Sequence, residues 1–194
     1  MFPTDITPDG STLLYALSDL PRDTFMVSIA EAPAKGKPLL NGPASEGSPT
    51  VSPDGRWLAY TSDESGQYEV YVRPFPGVAT GRWQISTAGG FAPHWSPVGN
   101  ELFYLVQQGD LVALMSVPVE SGSTFRPGSP KMLFQGPFFN GGGAVAGPGS
   151  FDIASDGKRF LMIVNAASDT GAEQPRIVIV QNWLEEVKRL VPTH

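Results

Sequence analysis

The tetrapeptide Thr7-Pro8-Asp9-Gly10 recurs as Ser52-Pro53-Asp54-Gly55, as Ser96-Pro97-Val98-Gly99 and, degraded, as Ala154-Ser155-Asp156-Gly157, each time just ahead of a short apolar run. Counted from the third residue of each, the steps are 45 (Asp9 to Asp54), 44 (Asp54 to Val98) and 58 (Val98 to Asp156). A chain made of copies of one unit at this period suits four-stranded propeller blades better than helical repeats.

The copies also align beyond the turn. The third residue after each Gly is Leu13, Leu58, Leu102 or Phe160, and the fifth is Tyr15, Tyr60, Tyr104 or Met162. Apolar residues at period two after a tight turn describe a strand with one face against a neighbouring sheet, and Pro-Asp-Gly supplies the turn. Each tetrapeptide therefore joins two antiparallel strands. A third strand is expected at Phe25-Met26-Val27, Val70-Tyr71-Val72, Leu111 to Met115 and Ile177 to Val180, and a fourth at Pro38-Leu39-Leu40, Trp83-Gln84-Ile85 and Met132-Leu133-Phe134. The last copy lacks the fourth. In its place Asn182 to Leu190 has a capping Asn, two acids early and two bases late, which predicts a helix over 182–191. The expectation is one all-β domain with blades at about 1–43, 44–89, 90–137 and 150–181 and a short terminal helix.

Composition agrees: 194 residues, 22 Gly and 19 Pro punctuate many short strands. A net charge of −6 with scattered Lys and Arg disfavours a nucleic-acid partner, which needs a basic stripe to displace counterions. With no cysteine there is no disulfide, thiol nucleophile or zinc-thiolate site. No apolar run reaches the roughly 20 residues of a membrane helix, and residues 1–25 lack the pattern of an export signal, so a cytoplasmic location is expected for the chain as it stands.

The stretch Val51 to Ser62 (VSPDGRWLAYTS), followed by Gly66 to Pro76 (GQYEVYVRPFP), resembles the WD-repeat-like blades of TolB-type propellers. It is most similar to the propellers C-terminal to the kinase domain and membrane span of some bacterial serine/threonine protein kinases. The resemblance covers essentially the whole chain, up to Ile177-Val178-Ile179-Val180 and Asn182-Trp183. It implies a propeller and no particular chemistry; the parent family's propeller is compatible with an extracytoplasmic location. Kinase motifs are absent, which excludes phosphoryl transfer by this chain. Such propellers close with about six to eight blades, so four copies read as half a ring. Burying two exposed blade faces against a second copy predicts a homodimer of roughly eight blades, with a closed four-blade monomer as the competing geometry.

In a closed ring the strand just before each turn lines the channel. Two positions ahead of each tetrapeptide stand Asp5, Thr50, His94 and Asp152, followed by the apolar Ile6, Val51, Trp95 and Ile153, which places the polar set on the other side. His94, Asp5 and Asp152 form a candidate divalent-metal set for Zn, Mn or Ca, able to activate a bound water for hydrolysis. The plainer reading is a wet channel lined by hydrogen-bonded polar side chains. There is no Gly-x-Ser-x-Gly elbow. The tract 141–149 carries no Walker lysine and reads as an insertion, with Phe138 and Phe139 at its start as a lid or as blade-edge packing. Trp57, Trp83, Trp95 and Trp183 read as packing residues, Asp9, Asp54 and Asp156 as turn formers, and Asp63-Glu64 and Glu185-Glu186 as solvated acids. Two functions follow: a regulatory module detached from a kinase-like parent that binds a small molecule or peptide in its channel, or a metal-dependent hydrolase acting on esters, lactones or phosphotriesters in the same place.

Overall fold

The computed structural model describes residues 2–17, 21–31, 35–122, 124–140, 150–164 and 177–180. The expected helix over 182–191, with Trp183, and the glycine-rich tract 141–149 lie outside them. The described residues are nearly all β. The first sheet holds β1 (Phe2–Ile6), β2 (Thr12–Ala16), β3 (Thr24–Ser28) and β4 (Lys37–Leu40), antiparallel and in sequence order. The second repeats the plan with β5 (Glu46–Val51), β6 (Trp57–Ser62), β7 (Glu69–Pro74) and β8 (Trp83–Gln84). A third holds β9 (Phe91–Trp95), β10 (Glu101–Gln108), β11 (Leu111–Ser121), β12 (Phe125–Pro127) and β13 (Lys131–Gly136). A fourth holds β14 (Phe151–Ile153), β15 (Phe160–Ile163) and β16 (Ile177–Val180).

The repeated turns have the expected chemistry. Gly10, Gly55 and Gly157 sit at φ of 71°, 70° and 67°, where a side chain would be strained, and their amides donate to Thr7, Ser52 and Ala154 carbonyls. The Thr7 and Ser52 hydroxyls donate to Asp9 and Asp54 at 2.6 and 2.5 Å, locking both loops. The third turn, with Val98 in place of Asp, uses its side chain differently: a Cβ on Gly157 would lie 2.5 Å from Val98 Cγ2, so Val98 covers the next turn.

Strand parity sets how the sheets stack. Leu14 of β2 packs against Leu58, Tyr60 and Tyr71 of the second sheet. The opposite face of that sheet, Trp57, Ala59, Val70 and Val72, packs against Leu102, Tyr104 and Val106 of the third. Phe103, Leu105, Val112 and Leu114 then meet Phe160 and Met162 of the fourth. Each sheet thus has a leading face toward the preceding sheet and a trailing face toward the next. Leu13 and Tyr15, equivalent to the fully buried Leu58 and Tyr60, are only half-buried, and Ile6 is 52% exposed where its equivalent Val51 is in the core. The expected inward Ile6 fails for a plain reason: among the described residues no sheet lies ahead of the first.

One element departs from the expected repeat. β11 runs to Ser121 rather than Met115; its first half pairs with β13 and its second half with β12. This added hairpin delivers Phe125, buried to 1% exposure, among Trp57, Trp83 and Trp95 with ring centroids 5.1, 5.3 and 6.2 Å away. The three tryptophans are packing residues. Phe138 is also buried, in the core shared by the third and fourth sheets, and bridges to Val164, while Phe139 remains exposed.

Where the first sheet passes to the second, Glu46 opens β5. Its amide donates to the Arg22 carbonyl at 2.8 Å, and the neighbouring Ser45 amide donates to Asp63 at 2.9 Å. The side chain is buried, and its Oε2 has no hydrogen-bond partner. Burial foremost, then the charge of Asp23, pushes its carboxyl from an ordinary 4.5 up to about 7. Below the unfolded value the group is protonated in both states and costs nothing; as pH rises toward 7 only the unfolded chain ionises freely, and stability falls. Glu46 therefore takes on the order of 1–3 kcal/mol from stability above pH 7. The expected result for Glu46→Gln, in denaturant titrations from pH 4 to 8, is equal stability at pH 4 and a gain of that size at pH 8.

Candidate functional site

Three of the strands that precede the repeated turns are irregular just before the residue of interest. Pairing shifts register between Pro3 and Asp5 on β1, between Gly47 and Thr50 on β5, and between Phe91 and His94 on β9. In the last two the irregularity holds a non-glycine residue at positive φ, Ser48 at 48° and Ala92 at 50°. Each is followed by a proline and then by Thr50 or His94, since proline suits bulges where a ladder donor is already lost. A non-glycine residue there costs roughly 1–3 kcal/mol and persists where the surroundings enforce it. These bulges re-aim Thr50 and His94 at the sheets' inner edge.

At that edge Asp5 Oδ2 accepts from the Thr50 hydroxyl at 3.0 Å and from the Val51 amide at 2.7 Å, while Oδ1 accepts from the Ile6 amide at 2.8 Å. The Thr50 carbonyl accepts from the Trp95 indole at 3.1 Å, and the His94 ring lies 4.6 Å from that of Phe151. A continuous girdle thus runs from β1 through β5 and β9 to β14. Beside it lies a cavity of about 100 Å³ walled by Thr4, Asp5, Ser48, Pro49, Thr50, Ala92, Pro93 and His94. Thr4 Oγ1, buried in its wall, has no hydrogen-bond partner.

Three of the four residues singled out in the sequence, Asp5, Thr50 and His94, meet at this cavity. Asp152 is exposed and is not in its wall; its Oδ1 accepts from the adjacent Ile153 amide at 2.7 Å. Its charge still bears on His94. Burial holds the His94 imidazole below its ordinary value, and the charges of Asp152 and Asp5 oppose that shift. Among the described residues no three His, Asp or Glu side chains gather closely enough to hold a metal ion in this arrangement. Thr4 and the two strained positions were missed at the level of sequence, although the prolines placed just before Thr50 and His94 were a readable sign of bulges.

No protein-family model matches the chain. Over 106 residues, 54% of its length, the chain is 27% identical to an uncharacterised protein of Agrobacterium fabrum, 36% of which is covered. TolB from Acinetobacter baumannii superposes with a TM-score of 0.67 at 16% identity, over 93% of this chain and 41% of that one. An oligogalacturonate lyase solved in complex with manganese superposes with a TM-score of 0.64 at 13% identity, over 93% of this chain and 50% of that one. The chain spans half or less of the length of each of these three proteins. These likenesses show the fold: antiparallel sheets of a TolB-type β-propeller.

Because Asp5 supports the charged form of His94, Asp5→Asn is expected to lower the His94 pKa further, as is Asp152→Asn. An NMR titration of the His94 ring carbon-bound proton checks the direction; a rise in either variant contradicts the arrangement.

Proposed function

We propose that the chain is a ligand-binding regulatory propeller module, of the kind carried by bacterial serine/threonine kinases, with a small molecule or peptide engaging the inner edge at Asp5, Thr50 and His94. The observation that carries this is the cavity with its orphaned Thr4 hydroxyl, held open by strained bulges on two strands. Strain and unpaired polar atoms in a cavity mark ligand sites more often than packing. A second reading is a metal-dependent hydrolase using His94, Asp5 and Asp152 as ligands to Zn, Mn or Ca; the manganese bound by the lyase neighbour favours it. Asp5 retains lone pairs beyond its present bonds, and His94 offers a ring nitrogen, but Asp152 would have to turn toward them. A metal there would supply an activated water. The test is a panel of activated esters, lactones and phosphotriesters with and without a chelator. Silence is the expected outcome; chelator-sensitive turnover lost in His94→Ala would replace the binding reading with the second one.

We further propose that a second copy covers the faces left unmatched, closing about eight blades around a two-fold axis. Leu13, Tyr15, Phe25 and Val27 form the apolar leading face of the first sheet, and Leu161 and Ile163, 40% and 42% exposed, stand on the fourth. The two faces are of opposite kind, as neighbours in the stack are. Light scattering after size exclusion is expected to give twice the chain mass, and Leu161→Asp, at an exposed position, to give the single mass. A monodisperse monomer of the parent chain rules out the dimer.

A further inference from the structure

The strands that face the inner edge, β1 (FPTDI), β5 (EGSPTV), β9 (FAPHW) and β14 (FDI), contain no Lys or Arg. Their formal charges come from Asp5, Glu46 and Asp152, and His94 is biased toward its neutral form by burial. An anion entering the cavity would meet the Asp5 carboxylate and no Lys or Arg in the wall. The side-chain oxygens there can all accept: Asp5 accepts only, the Thr50 hydroxyl has spent its proton on Asp5 and keeps lone pairs, and the unpartnered Thr4 hydroxyl has free lone pairs beside its own proton. A neutral imidazole adds one more acceptor nitrogen.

Size narrows the class further. About 100 Å³ lies below the roughly 300–1,000 Å³ of sites that enclose a whole drug-sized molecule, so the cavity suits one terminal group. An ammonium group presents three donors and no acceptor, which matches a wall made of acceptors. A divalent ion is the poorer match, since no three ligating side chains gather among the described residues.

We infer that the cavity between β1, β5 and β9 binds a protonated primary amine, the ammonium end of a lysine side chain or of a peptide N-terminus. This rests on reading the cavity as a ligand site, and it names the chemistry of the ligand. Asp5 supplies the charge, Thr4 and Thr50 the neutral acceptors, and the Pro49 and Pro93 rings the apolar collar for the carbon next to the nitrogen.

The experiment follows the Trp95 indole and His94 ring resonances of the labelled full chain while n-propylammonium, propionate or 1-propanol is added at constant ionic strength and pH 7.5. The expected result is a saturable shift with the amine alone, weakened about tenfold or more by Asp5→Asn. Since Asp5 also ties β1 to β5, Thr4→Val is the companion variant; it leaves those bonds intact and is expected to weaken the amine several-fold. Nα-acetyl-lysine amide and glycylglycine amide, each with one ammonium, then distinguish a side chain from a chain terminus as the source. Saturable shifts from propanol or propionate equal to those from the amine overturn the amine assignment while leaving the cavity a ligand site. No saturable shift from any of the three overturns both.

Discussion

The period-two alternation of apolar residues on both faces of every interior strand is the constraint from which the rest follows. A sheet with one apolar face can pack once and meet water on the other. Here β6 and β10 are apolar on both: Leu58 and Tyr60 face one way, Trp57 and Ala59 the other, and Leu102 and Tyr104 oppose Phe103 and Leu105. Such sheets must stack in series, each between two others, and their twist fans the series around an axis. Shifting the register by one residue would exchange leading and trailing faces, so the parity also fixes which side chains reach the inner edge.

That edge has two duties in one set of residues. The Asp5–Thr50 and Thr50–Trp95 hydrogen bonds and the His94–Phe151 contact join successive sheets, and three of these residues, Asp5, Thr50 and His94, also wall the cavity. A ligand that draws on the Asp5 carboxylate competes with the bond tying β1 to β5. On the proposed ligand-binding reading, occupancy of the cavity and the seating of the first sheet would be coupled through shared lone pairs.

The turns, the strand order and the parity were legible because each is local: Pro-Asp-Gly specifies a turn wherever it stands, and alternation needs only a few residues. The convergence of Asp5, Thr50 and His94 was legible for the same reason, since equivalent positions in a repeat meet near its axis. Two things were not. β12 lies where the repeat offers no counterpart, and its placement is decided by Phe125 finding a pocket among two tryptophans of the second sheet and one of its own, a tertiary event. Asp152 shares the register of the other three and, like Asp5, accepts from the next residue's amide, yet it stands on the fourth sheet outside the wall; which strands enclose a cavity is a tertiary outcome that no spacing encodes.

Two buried carboxylates show how the fold separates structural from responsive acids. Glu69 is fully buried and accepts from the Ser86 hydroxyl, from Gln67 Nε2 at 2.6 Å and from the Gly89 amide at 3.0 Å, so its donors come from the approach to β7 and from the segment after β8. A carboxylate so provided for clasps the loop after β8. Glu46, 7% exposed, lacks such a set and leaves its Oε2 unpaired, and the buried Thr4 Oγ1 repeats this in neutral form. Both lie on strands of the inner edge, β5 and β1, whereas Glu69 lies two strands further out, on β7. Unpaired buried polar atoms also stand at Thr24 on β3 and Thr61 on β6, so the inner edge is one of several places where a stack held together by its sheet faces tolerates them.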